Sequence, residues 1–151
     1  MEILLRQRGF QNIRNQPEES LSMKSEFKKN LQINKELIDS FAKFSGDYNP
    51  IHMCETEANK AGFEKRVMHG AGLLGLVSSL VANDMPGPGS VLLEMNSKFK
   101  NPAYDGDVVC IEMVLEKFSK LTNVAAVSYE IKNQNDKSLC KGDVKVLYEQ
   151  K

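Results

Sequence analysis

Only two histidines occur in the sequence, His52 and His69, and both sit in one short region with Asp47 and Asn49. A carboxylate and an imidazole are the side chains best suited to share a water molecule, one taking a proton while the other returns one. Asp47 and His52 lie on either side of Pro50. Proline has no amide hydrogen and pushes the residue before it, here Asn49, away from helical geometry. Residues 47–52 therefore read as a polar turn between elements, a common seat for catalytic groups. Spacing alone does not separate this arrangement from a capped turn carrying a surface histidine.

The elements that must hold the turn are readable on both sides. Phe27, Leu31 and Ile33 mark a strand-like entry. Asn34 is a candidate N-cap, followed by Leu37, Ile38, Phe41 and Phe44 at helical spacing. That helix should end near Ser45-Gly46, where glycine tolerates the backbone of a C-terminus. After the turn come a short helix over Glu55–Ala61, a connection over Phe63–His69, and a helix over residues 70–83. This last helix is apolar on most of its circumference, so other structure has to enclose it. Gly75 costs about 1 kcal/mol inside it relative to alanine, and close packing against a sheet is the expected reason for its presence. The breakers from Asn83 to Gly89 stop the helix.

Beyond that point the period changes to two. Val91, Leu93, Met95 and Phe99 alternate with polar residues, as do Val109, Ile111, Met113 and Leu115, then Ala125, Val127, Tyr129 and Ile131. Cys140, Val144, Val146 and Tyr148 give the last set. Turn signals separate them at residues 104–107, 120–123 and 133–136. One buried helix followed by an antiparallel sheet is an α+β fold. Residues 1–22 form an N-terminal arm of unassigned role, and residues 23–151 form the domain.

Composition excludes several function classes. Twenty basic and twenty acidic side chains cancel, which gives no electrostatic reason to expect nucleic acid or an anionic membrane as partner. Residues 71–82 are too short for a bilayer span of ~20 residues. The three cysteines, Cys54, Cys110 and Cys140, are scattered without metal-ligand spacing, which fits a reducing compartment and a cytoplasmic location. No metal or redox cofactor is expected, since no ligand cluster or glycine-rich phosphate loop is present.

The segment from Phe41 through Gly46-Asp47-Tyr48-Asn49-Pro50-Ile51-His52 resembles the hydratase signature of the MaoC-like, (R)-specific enoyl-CoA hydratase family. The resemblance continues through Ala58, Phe63, Val67, His69-Gly70 and Ser78, then Pro86–Ser90, Phe99, Pro102 and Gly106-Asp107, covering roughly residues 25–148. It implies a hot-dog fold, in which an antiparallel sheet wraps a long central helix, and a homodimer with active sites near the interface. It also implies a hydro-lyase acting on a trans-2-enoyl thioester of CoA or acyl-carrier protein. In that scheme Asp47 is base and orienter, and His52 exchanges the other proton. Gly70 holds the thioester carbonyl, and Asn49 and Ser78 contact substrate.

Bland roles compete at several of these positions. Asn49 equally suits a turn-stabilising role, and Ser78 a bond to its own helix backbone. His69 is expected to be structural. Where the family often has an acidic or small polar residue two positions after the histidine, this chain has Cys54. Two other functions compete with hydration: thioester hydrolysis on the same fold, and non-catalytic binding of acyl thioesters.

Overall fold

The computed structural model describes residues 23–149; the expected N-terminal arm, residues 1–22, lies outside them. The described chain runs β1 (Glu26–Gln32), α1 (Lys35–Ser45), α2 (Pro50–Met53), α3 (Glu55–Lys60), α4 (Gly70–Asn83), β2 (Val91–Phe99), β3 (Val108–Ser119), β4 (Val124–Lys132) and β5 (Ser138–Leu147). Among the described residues the strands form one sheet in the order β1-β3-β4-β5-β2. Every neighbouring pair is antiparallel.

Alternation along the strands decides which face meets the helix. On β4, Ala125, Val127, Tyr129 and Ile131 are buried while their neighbours are partly exposed. Val109, Ile111 and Met113 of β3 and Val144 and Val146 of β5 join them on the same face. Leu73, Val77, Leu80 and Val81 of α4 complete one core cluster with these strands. Each such side chain contributes ~1.5–3 kcal/mol when removed from water. A sheet curved around one helix of ~21 Å is the hot-dog architecture expected from the resemblance.

Two features depart from the expected pattern. A bulge between Leu92 and Glu94 interrupts the β2–β5 register. Because side chains alternate with period two, the extra residue moves one half of the strand to the other face. Leu92 and Met95 pack against the core, whereas Val91 and Phe99 are exposed. The single run from Val91 to Phe99 on one face is thus corrected.

The second departure concerns α4. Its face bearing Ala71, Gly75 and Ala82 is exposed, and a Cβ on Gly75 would meet nothing within 4 Å. Packing against the sheet therefore does not explain Gly75, and the described residues do not enclose the helix. No helix among the described residues is long and apolar enough to cross a membrane.

Candidate active site

Local hydrogen bonding builds the turn that carries Asp47. The side chain of Asn34 caps α1 by accepting from the Leu37 amide at 2.9 Å. At the other end Gly46 adopts φ 77° and donates to the Ala42 carbonyl at 2.8 Å, reversing the chain. Ser45 Oγ then accepts from the Asp47 amide at 3.2 Å, and Asp47 Oδ1 accepts from the Asn49 amide at 3.1 Å. Asn49 Oδ1 in turn accepts from the Ile51 amide at 3.4 Å and caps α2, with Pro50 opening the helix. The expected open turn thus contains one helical turn. Asn49 is occupied as a cap and fixes one oxygen of the Asp47 carboxylate.

His52 lies on α2 and is 8% exposed. Its Nδ1 lies 2.7 Å from the Val67 carbonyl; a carbonyl only accepts, so Nδ1 carries the proton and Nε2 presents a lone pair. That Nε2 is 3.9 Å from Asp47 Oδ2, too long for a direct bond and open to a shared water. Burial holds the His52 imidazole below the usual histidine range. His69 and Arg66 push the same way, against the Val67 hydrogen bond and the Asp47 charge.

Two side chains that sequence reasoning treats as structural or passes over hold this pair. Arg66 is 6% exposed; its Nε donates to the His52 carbonyl at 2.7 Å, and its Nη2 pairs with Asp39 on α1. His69, 2% exposed, has Nε2 2.9 Å from the Asp47 carbonyl. Its ring stacks on that of His52 with centroids 3.7 Å apart. The only signal for Arg66 in the sequence is a basic residue just before an apolar helix, which is too common to single out.

Asp47, His52 and His69 each bring a ligand-type atom within 4.8 Å of the others. Ring-nitrogen lone pairs lie in the ring planes, so the stacked pair sets them side by side rather than converging. His69 also commits Nε2 to a backbone carbonyl. The three side chains therefore do not converge on one ion position.

His52 opens onto a cavity of about 340 Å³ lined by Phe63, Val67, Gly70, Leu73, Phe99 and Ala103, among others. Gly70 begins α4, whose first amides have no intrahelical acceptor and lie at the positive end of the helix dipole. A Cβ there would meet the Phe99 ring at 3.0 Å, so glycine leaves room for that ring beside the helix start. Ser78, about 12 Å farther along α4, does not line this cavity. Cys54 is exposed, does not line it either, and has its thiol pulled down by the Glu57 and Thr56 amides at the start of α3. A larger groove of about 700 Å³ crosses the sheet face turned away from α4 and holds neither histidine.

A buried histidine facing an exposed carboxylate, beside the amide end of the central helix, gives the hot-dog fold a polar site at an apolar cavity. The MaoC like domain profile matches residues 16–136, and the chain belongs to that family. The (R)-specific enoyl-CoA hydratase of Aeromonas caviae is 32% identical over 97 residues, covering 64% of this chain and 72% of that protein. The 3-hydroxybutyryl-CoA dehydratase of Methylorubrum extorquens is 37% identical over 73 residues, 48% of this chain. That match spans only 46% of the Methylorubrum protein, about half its length. Among solved structures, the unliganded R-hydratase of Pseudomonas aeruginosa superposes with a TM-score of 0.81 at 25% identity. It covers 87% of this chain and 84% of that one. The (R)-hydratase from A. caviae gives 0.81 at 26%, covering 87% and 100%.

Proposed function

We propose that the protein adds water reversibly across the double bond of a trans-2-enoyl thioester, giving the (3R)-hydroxyacyl thioester. The observation that carries this reading is the 3.9 Å separation of His52 Nε2 and Asp47 Oδ2 beside the cavity at the start of α4. The reaction and its hand follow the names of the Aeromonas hydratase and the Methylorubrum dehydratase.

One water bound between the two groups supplies both parts of the addition. Its oxygen bonds to the β-carbon as a proton passes to His52 Nε2, and the imidazolium returns that proton to the α-carbon on the same face. Asp47 accepts a hydrogen bond from the water's other hydrogen and offsets the transient charge on His52. The Val67 bond, which leaves Nε2 unprotonated, supports giving the first proton to His52. This reverses the order that the resemblance implied for Asp47. The enolate-like negative charge on the thioester oxygen falls to the amides at Gly70, where a well-aimed donor is worth ~3 kcal/mol. Asn49 acts through the Asp47 carboxylate it fixes, and Ser78 meets the far part of an acyl chain laid along α4.

A second copy of the chain completes the site. Phe44, Tyr48 and Phe99, the first two flanking Asp47 in sequence and the third lining the cavity, are 87%, 57% and 54% exposed. The small residues on the free face of α4 allow close approach of another helix, and β2 is an edge strand. We take residues 23–151 as the catalytic unit, acting on acyl-CoA. Three free cysteines fit a reducing compartment such as the cytoplasm.

Incubation with crotonyl-CoA tests the reading. Loss of enoyl absorbance without thiol release is expected. Thiol release would instead identify a hydrolase, and no change in either signal a binding protein.

A further inference from the structure

We propose that His69 is a positioning residue that sets the spacing of the Asp47/His52 pair. It sits at the N-cap of α4, which packs Leu73, Val77, Leu80 and Val81 into the core. From that fixed point its Nε2–H donates to the Asp47 carbonyl at 2.9 Å, while its ring lies against His52 at 3.7 Å between centroids. The Phe41 ring of α1 backs it at 4.9 Å. One side chain therefore touches both members of the pair, Asp47 through its main chain and His52 through its ring face.

Packing alone does not account for a histidine here. Its Nδ1 is buried without a partner, a cost that a phenylalanine of similar shape would avoid. What phenylalanine lacks is the Nε2–H. The groups facing His52 are Asp47 from the turn after α1, Arg66 with its partner Asp39, and His69 itself. Of these, His69 is the one bonded to Asp47 and in ring contact with His52.

Substitution tests the assignment by two independent readouts, and only the kinetic one rests on the hydratase reading. His69→Phe removes the donor and keeps the stacked ring. It should lower kcat by ~10–100-fold, the scale of a misplacement near 1 Å, with KM within ~3-fold. The variant also leaves His52 as the one histidine in the sequence, so its imidazole NMR titration is unambiguous. That titration should move to higher pH, because an aromatic face favours the imidazolium and the coulombic opposition of His69 is gone.

Wild-type kcat or an unmoved His52 titration would overturn the proposal. His69→Leu, which also lacks the donor and leaves His52 as the one histidine, replaces His69→Phe with both readouts if that variant fails to fold. If the wild-type protein turns over no enoyl thioester, the hydratase reading fails, and the titration still decides the coupling of His69 to His52.

Discussion

His52 Nδ1 lies 2.7 Å from the backbone carbonyl of Val67, fifteen residues farther along the chain. Through that bond the connection before α4 fixes the tautomer of a histidine on α2. The Val67 amide also donates to the Ile51 carbonyl at 3.1 Å, so the contact is a two-way clasp. It closes the short helix against the strand-like segment leading into α4.

The acid/base roles proposed for His52 and Asp47 can be tested one at a time. His52→Ala removes the proton carrier and should lower kcat by ~100-fold or more, the scale of a general acid/base group. Asp47→Asn keeps the side-chain oxygen that the Asn49 amide bonds but removes the charge, and should fall by a similar factor. Steady-state hydration of crotonyl-CoA measures both. Near-normal turnover in either variant removes that residue from the mechanism.

The depressed His52 value has a direction in both activity and stability. The proposed mechanism requires the base form, so kcat/KM should fall on acidification with a midpoint below the ordinary ~6.5 of histidine. Burial is the leading cause, and the unfolded chain lacks it. Between the folded and unfolded values the unfolded state therefore binds more protons, and stability rises with pH through that window. His52 contributes fully above ~6.5, and its contribution declines as pH falls toward the folded value. Thermal melts of wild type and His52→Gln across pH 5–7 should converge on acidification. Parallel curves would deny the linkage.

Much of this arrangement is legible in the sequence because it rests on local rules. Asn34, Gly46 and the Pro50 break announce α1 and the turn, and period-two alternation marks β3, β4 and β5. The bulge in β2 is hidden, since an inserted residue leaves an apolar pattern that still reads as alternating. The tautomer of His52 and the roles of Arg66 and His69 are hidden for a different reason. They depend on contacts 14 to 22 positions apart, which no periodicity encodes. Gly75 misleads because nothing among the described residues packs against it.

Arg66 should prove a joint determinant of stability and of the His52 titration. Arg66→Ala removes a buried hydrogen bond to the His52 carbonyl and an ion pair whose other member, Asp39, is 41% exposed and can rehydrate. A loss of ~1.5–3 kcal/mol is expected, the range for hydrogen bonds to charged groups. Removing a cation that faces His52 makes the imidazolium easier to form, so the acid limb of kcat/KM should move to higher pH. Arg66→Lys keeps the charge without the two-armed geometry; it should lose stability and leave the limb nearly in place. Melting curves and pH profiles of the two variants separate geometry from charge.

Gly75 provides the sharpest test of the second copy. Among the described residues an added Cβ at this position meets nothing within 4 Å, so a larger side chain such as leucine has room and improves helix propensity by ~1 kcal/mol. In a dimer whose α4 helices approach along Ala71, Gly75 and Ala82, the same leucine fills the space that lets the helices meet. Overpacking of this kind typically costs ~1–3 kcal/mol, which weakens association by about 5- to 150-fold at 1.4 kcal/mol per decade. Gly75→Leu should therefore sediment as monomer at concentrations where wild type is a dimer, with far-UV dichroism unchanged and turnover reduced. An unaltered dimer would move the interface off this face. A more stable variant that is monomeric like wild type would mean that the site works without a partner.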